Sequence, residues 1–207
     1  MDIPILALDE DIASLPYTQI ASFHWEQPVP YRPAAFFRFA ALRSGGLICE
    51  LKCFESSPKA VYTQIDSPVY KDSCLEFFIA PVCSRSEYIN IECNSVGAYL
   101  AQFGSQRDGR RSLSELCTAA PAVTPFKGRD ECGDFWGVRI VLSGQLIHEL
   151  YGTGYTNAVR ANFYKCGDQT QTPHYAAFSP VTDMPPGFHN PSCFADFYIT
   201  PEGNVIN

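Results

Sequence analysis

The chain has 207 residues, 46% of them hydrophobic and 18% charged, enough apolar side chains for one large β domain. Its 15 Lys+Arg against 22 Asp+Glu give a net charge of −7, which argues against a nucleic-acid binder. No apolar run is long enough to span a membrane, and the N-terminus lacks the basic and apolar regions of a signal peptide.

Nine cysteines, an odd number without a Cys-x-x-Cys spacing, read as buried free thiols. They suggest a reducing, cytoplasmic setting, with periplasmic or secreted settings left open. Oligomeric state is not legible.

In chain order, residues 1–16 read as an N-terminal arm to a single domain over 1–207. Pro28, Pro30 and Pro33 then bar a helix and predict an extended segment, with Trp25 plugging the core beneath it. A hairpin is predicted from Ala35–Arg43 and Leu47–Phe54 around Ser44-Gly45-Gly46. Leu75, Phe77 and Ile79 alternate toward a core, leaving Glu76 on the opposite face among apolar neighbours. The cleanest alternation runs from Tyr88 to Asn94: Ile89, Ile91 and Cys93 point one way, and Tyr88, Asn90, Glu92 and Asn94 the other. A return strand follows over Ala98–Phe103. Residues 104–134 read as loop-rich, with weak strand signals near Cys117–Val123. The basic cluster Arg107–Arg110–Arg111 is a loop with one arginine turned into a site. Trp136, Val138, Ile140 and Leu142 mark the next strand, and Ser143 caps the one short helix, with Leu146, Ile147 and Leu150 as its apolar face. Many short strands, one helix and long loops predict an all-β fold, an antiparallel β-sandwich.

The segment from Arg160 to His174 carries the densest set of directional polar groups. Arg160, Asn162 and Tyr164 lie on one strand face, and Lys165, Asp168, His174 and Tyr175 follow them. Successive residues on one strand face are about 7 Å apart, so this row and the Asn90–Glu92–Asn94 row match in kind. Together with aromatic residues in the 167–192 loop, they suit a polar small molecule with many hydroxyls.

Several segments together resemble the carbohydrate-binding module family 9-like proteins, relatives of xylanase-associated sugar-binding modules and of the DOMON group. These are Tyr70–Phe78, Tyr88-x-Asn90-x-Glu92-x-Asn94-x-x-Gly97, Arg160–Cys166, His174-Tyr175 and Phe188-His189-x-Pro191-x-x-Phe194. The resemblance covers Trp25 to Tyr198. It implies an immunoglobulin-like or DOMON-like sandwich and a free-standing, non-catalytic module for a mono- or oligosaccharide, active in xylan-like polysaccharide catabolism. It further implies Tyr70 as one aromatic wall, Phe188 or else Phe178 as the second, and Glu76 as the hydroxyl-binding carboxylate. One of Arg107, Arg110 and Arg160 would supply a guanidinium. Structural calcium also belongs to the family. Both walls depart from the family's tryptophans.

The ligand-binding set expected on these grounds is Tyr70, Glu76, Asn90, Glu92, Asn94, Arg160, Asn162, Tyr164, His174, Phe178, Phe188 and His189. Two other classes stay open. Glu76 and Glu92 form a carboxylate pair suited to glycoside hydrolysis, and His174, His189, Glu92 and Cys166 a set suited to a metal. A haem or redox binder of the DOMON type needs an axial His or Met, and beyond four histidines only Met1 and Met184 are present.

Overall fold

A computed structural model describes residues 1–23, 31–55, 57–182 and 187–200. The expected role of Trp25 falls outside these residues, as do Met184 and His24. The strands are β1 (Asp2–Leu6), β2 (Thr18–Ile20), β3 (Ala35–Leu42), β4 (Leu47–Cys53), β5 (Cys74–Ala80), β6 (Tyr88–Asn94) and β7 (Tyr99–Gly104). They continue with β8 (Arg111–Ser112), β9 (Ala122–Asp130), β10 (Gly133–Leu142), β11 (Ala158–Cys166), β12 (Tyr175–Ala177) and β13 (Ala195–Thr200). Among the described residues, the α-helices are α1 (Leu113–Leu116) and α2 (Gly144–Tyr151), with short 3-10 turns at Asp9–Ser14, Val69–Lys71 and Pro191–Cys193.

The protein is mostly β, in one curled sheet ordered β8-β7-β6-β5-β11-β13-β1-β3-β4-β10-β9, with β12 and β2 flanking β11 and β3. The sheet is mixed, which corrects the expectation of a strictly antiparallel one. β1 runs parallel to both of its neighbours: residues 2–4 pair with β13 and residues 5–6 with β3. Pro4, which has no N–H to donate, lies at the changeover. The segment expected as an arm therefore contributes the strand that joins the two halves of the sheet. Its Ile3 and Leu6 are buried.

The period-two patterns set the core. Phe37 and Phe39 of β3, Leu47, Cys49 and Leu51 of β4, and Trp136, Val138 and Ile140 of β10 face Leu75, Phe77 and Ile79 of β5, Ile89 and Ile91 of β6, and Phe163 of β11. The Phe37 and Phe163 rings stack 3.7 Å apart across this interior. The β3–β4 hairpin closes with Gly45 at φ +86°, a conformation that β-carbon sterics deny most residues. Ser143 caps α2 by accepting from the Leu146 N–H at 3.1 Å, and Gly152 ends it in the left-handed region.

β9 lies inside the stretch read as loop-rich. Among the described residues it is an edge strand paired only with β10, and it is largely exposed, so it shows no apolar alternation. Pro125, a strand-breaking signal in sequence, is tolerated on such an edge.

Candidate functional site

The outward faces of β11, β5 and β6 carry the two polar rows expected from sequence, and register places them side by side. Tyr164 pairs across to Glu76, and Glu76 to Glu92; Asn162 pairs to Phe78, and Phe78 to Asn90. β7 extends both rows with Leu100 opposite Glu92 and Gln102 opposite Asn90. Strand pairing thus turns two separate alternations into one patch. The segment after β11 and the residues leading to Pro191 fold over it.

The result is a cleft of ≈ 650 Å³. Glu76, Glu92 and Cys166 form part of its floor, and Tyr70, Tyr175, Phe188, Asp168, Arg107, Arg110 and His189 line its sides. The Phe188 ring stacks on Tyr164 at 4.1 Å, and its carbonyl accepts from the Tyr164 hydroxyl at 3.1 Å. Arg110 donates to Asn90 Oδ1 at 3.0 Å, and its Nη1 lies 3.0 Å from His189 Nε2. Asn90 in turn donates to Glu92 Oε1 at 3.0 Å, and Tyr88 bonds His189 Nδ1 at 2.9 Å. Glu92 Oε2 is buried without a hydrogen-bond partner.

This burial controls the electrostatics. Desolvation raises the Glu76 carboxyl well above its usual range, and the nearby Cys166 and Glu92 add to the rise. Glu92 is pushed up to about 7 by burial, against the opposing pull of Arg110 and of the Asn90 hydrogen bond. His189 is lowered to about 3, first by burial and then by Arg110 and Arg107. It is therefore a neutral ring at neutral pH.

Glu92 has a stability consequence. Unfolded, it titrates near 4.5, so between 4.5 and about 7 the folded chain holds a proton that the unfolded chain has released. Its contribution is fully present below 4.5 and is lost as pH rises through about 7. His189 acts oppositely, its contribution being present above 6.5 and lost as pH falls toward about 3. Comparing urea midpoints of wild type and Glu92→Gln at several pH values isolates the first effect. The variant is expected to gain on the wild type as pH rises through that window. Parallel curves would mean that Glu92 ionises normally in the fold.

The expected residues separate into groups. Tyr70, Glu76, Glu92, Phe188 and His189 meet in the cleft. Asn90 and Tyr164 lie just beneath, bonded to residues of its wall. Asn94 is spent on its own turn, accepting from the Val96 and Ala98 N–H groups and donating to Asp72 Oδ2 at 3.0 Å. Asn162 pins the late loop through Ser179 and the Cys193 carbonyl. Phe178, expected as an alternative wall, instead packs into the core against Phe37 and Phe163. Arg160 sits at the far end of β11, opposite Ala80 and Asp196, so Arg107 and Arg110 are the guanidinium groups at the cleft. His174 is buried on the core side, 2.8 Å from Lys165 Nζ, because Lys165 falls on the opposite strand face from Tyr164 and Cys166. It therefore does not join His189, Glu92 and Cys166, and the metal set expected from those four is not assembled.

Asp168 and Tyr175 stand in sequence only as polar residues that follow the Arg160–Tyr164 row, and Gln102 and Leu100 have no signal beyond lying on a return strand. Their roles appear only once register is known. Among the described residues, the close group of metal-capable side chains is Cys74, Glu76 and Cys166. Its two thiols are unlike the oxygen donors that calcium takes.

Comparison with known proteins agrees with this architecture. A crystal structure of a candidate carbohydrate-binding protein from Bacteroides uniformis superposes with TM-score 0.77 at 24% identity, covering 97% of this chain and 98% of that one. Two structures of a carbohydrate-binding module family 9 from Caldicellulosiruptor kristjanssonii share the fold at lower identity. The glucose complex has TM-score 0.62 and 11% identity over 100% of both chains. The cellotriose complex has TM-score 0.64 and 9% identity over 100% of this chain and 96% of that one. No curated protein matches. The profile of carbohydrate-binding family 9 matches residues 4–199, nearly the whole length, and the chain belongs to that family.

Proposed function

We propose that the protein is a non-catalytic carbohydrate-binding module that takes a mono- or oligosaccharide into the cleft over β5, β6 and β11. The observation that carries this is the convergence, in one cleft, of aromatic rings from Tyr70 and Phe188 with the carboxyls of Glu76, Glu92 and Asp168 and the guanidinium of Arg110. Ring faces suit sugar C–H groups, and planar polar groups suit adjacent hydroxyls. Phe188 has one face covered by Tyr164, so it offers the sugar its other face or its edge. The family 9 relative from Caldicellulosiruptor kristjanssonii was solved with glucose and with cellotriose, which supports a glucose-type ligand. A role in polysaccharide catabolism follows from the same reading. All nine cysteines are free thiols, in keeping with a reducing compartment.

Binding is favoured over glycoside hydrolysis by the placement of the two carboxyls. Hydrolysis by a carboxylate pair puts one on each side of the scissile bond. Glu76 and Glu92 are direct cross-strand neighbours on one floor, so both approach a ligand from the same side.

The test is a glycan array followed by calorimetric titration of the best glucoside or xylo-oligosaccharide. Tyr70→Ala and Glu76→Gln are each expected to weaken binding about tenfold or more, the loss of a contact of about 1.5–3 kcal/mol. Silence across the array, or variants that bind like wild type, would defeat the proposal. Release of reducing sugar that disappears in Glu76→Gln would replace it with catalysis.

A further inference from the structure

At the cleft floor, two thiols and a carboxyl meet. Cys74 and Cys166 are register partners on β5 and β11, and Glu76 projects from the same face of β5, two residues along. The Cys166 thiol donates to Glu76 Oε1 at 2.9 Å. The two sulfurs and a Glu76 oxygen all lie within 4.8 Å of one another, and all three residues are buried. Ligand atoms around a tetrahedral zinc lie roughly 3–4 Å apart, given bonds of about 2.0–2.3 Å, so only small side-chain adjustments separate this group from coordinating geometry.

The group also lacks a positive charge. Among the described residues no lysine, arginine or histidine forms an ion pair with Glu76. Arg110, which lines the same cleft, is engaged with Asn90 and His189. Glu92, directly across the ladder from Glu76, keeps a buried oxygen without a partner.

We propose that Cys74, Cys166 and Glu76 form a site for a thiophilic divalent cation of the Zn²⁺ class, with its fourth position open to the cleft. Two thiolates and one carboxylate form the donor set that a borderline-soft cation prefers. Glu76 and Cys166 line the cleft while Cys74 does not, so the ion would sit below the floor with one side toward the cavity. Binding makes two metal–sulfur bonds and one metal–oxygen bond. It releases the protons of both thiols, and that of the carboxyl where it is protonated, to solvent, and no oxidant is involved. The site rests on its own observations and shares Glu76 with the residues proposed to bind sugar.

The test uses the full chain, kept reduced and freed of metal by a chelator that is then removed. Co²⁺ alone is titrated as a spectroscopic probe, followed by Zn²⁺. One equivalent of Co²⁺ is expected to produce a thiolate-to-cobalt charge-transfer band, Zn²⁺ to erase it, and either ion to raise the melting temperature. Cys74→Ser should lose the band, whereas Cys132→Ser, at an exposed position, should keep it. Absence of the band in wild type, or its persistence in Cys74→Ser, would overturn the proposal, and the wild-type titration decides even where the variant fails to fold. Sugar titration of the metal-free wild type separates the two readings. Sugar binding without cobalt binding removes only the metal site, and cobalt binding without sugar binding removes only the sugar site.

Discussion

Phe163→Ala is expected to lower the free energy of unfolding by about 3–5 kcal/mol, the range for emptying a phenylalanine site in a packed core. The ring is fully buried on β11. It stacks between Phe37 at 3.7 Å and Phe77 at 5.2 Å, and Phe197 meets it edge-on at 5.8 Å. Phe37 belongs to the β3 half of the curled sheet and Phe77 to the β5 half, so the ring holds the two together. Close packing limits how far such a site can collapse. A domain commonly has only about 5–15 kcal/mol of stability, so the loss is a large share. Urea denaturation should show a lower midpoint at an unchanged slope. A loss below about 1 kcal/mol would mean that the halves close over the void and that the aromatic stack is not what joins them.

The core faces of the buried strands were the most legible part of the chain, and the reason is general to it. Wherever a strand is buried on one face, apolar residues recur at period two, and Leu75–Ile79, Ile89–Cys93 and Trp136–Leu142 could be read directly. The hairpin at Gly45 and the cap at Ser143 are local signals and were legible for that reason. Three features were not. β9 is an exposed edge, so nothing forces its residues to alternate. β1 looks like an arm because five residues beside an acidic stretch carry no sign of the strands that will flank them. Its parallel pairing depends on β13, almost two hundred residues away.

The site shows the same division. Period two reveals which polar residues share a face of one strand. It cannot show which of them point into space and which are consumed by the backbone. Glu76 and Glu92 look no different in sequence from Asn94 and Asn162, yet the asparagines are spent on a turn and on the late loop. Asp168, Arg107 and Arg110 reach the cleft from loops, where periodicity says nothing. Even the stretch from Arg160 to His174 is divided by its own alternation. Cys166 lines the cleft and Tyr164 lies just beneath it, while Lys165 enters the core.

Lys165→Met is expected to destabilise the fold by about 3–5 kcal/mol, the cost of leaving a buried charge without its partner. The ammonium is fully enclosed, 3.3 Å from Glu55 Oε2, and donates to the Cys166 carbonyl at 2.8 Å. Glu55 also accepts from Trp136 Nε1 at 3.0 Å and from Ser73 Oγ at 3.2 Å, so the carboxylate ties β10 to the segment entering β5. His174 completes the group. Burial and the adjacent Lys165 depress it to about 4, so its ring is neutral and Nε2 accepts from Lys165 while Nδ1 donates to the Thr172 carbonyl. The His174 contribution is present above 6.5 and lost as pH falls through about 4. Methionine keeps the volume of lysine but not its charge, so Glu55 becomes an uncompensated buried acid. Adding Glu55→Gln removes that acid, and the double variant is expected to be less destabilised than the two single losses added together, by about 0.5–3 kcal/mol. Equilibrium denaturation of the four proteins measures this coupling. Strict additivity would show that Lys165 and Glu55 do not stabilise one another. A coupling of the expected sign would show that this buried pair stabilises the core face of β11, the strand whose opposite face carries the candidate site.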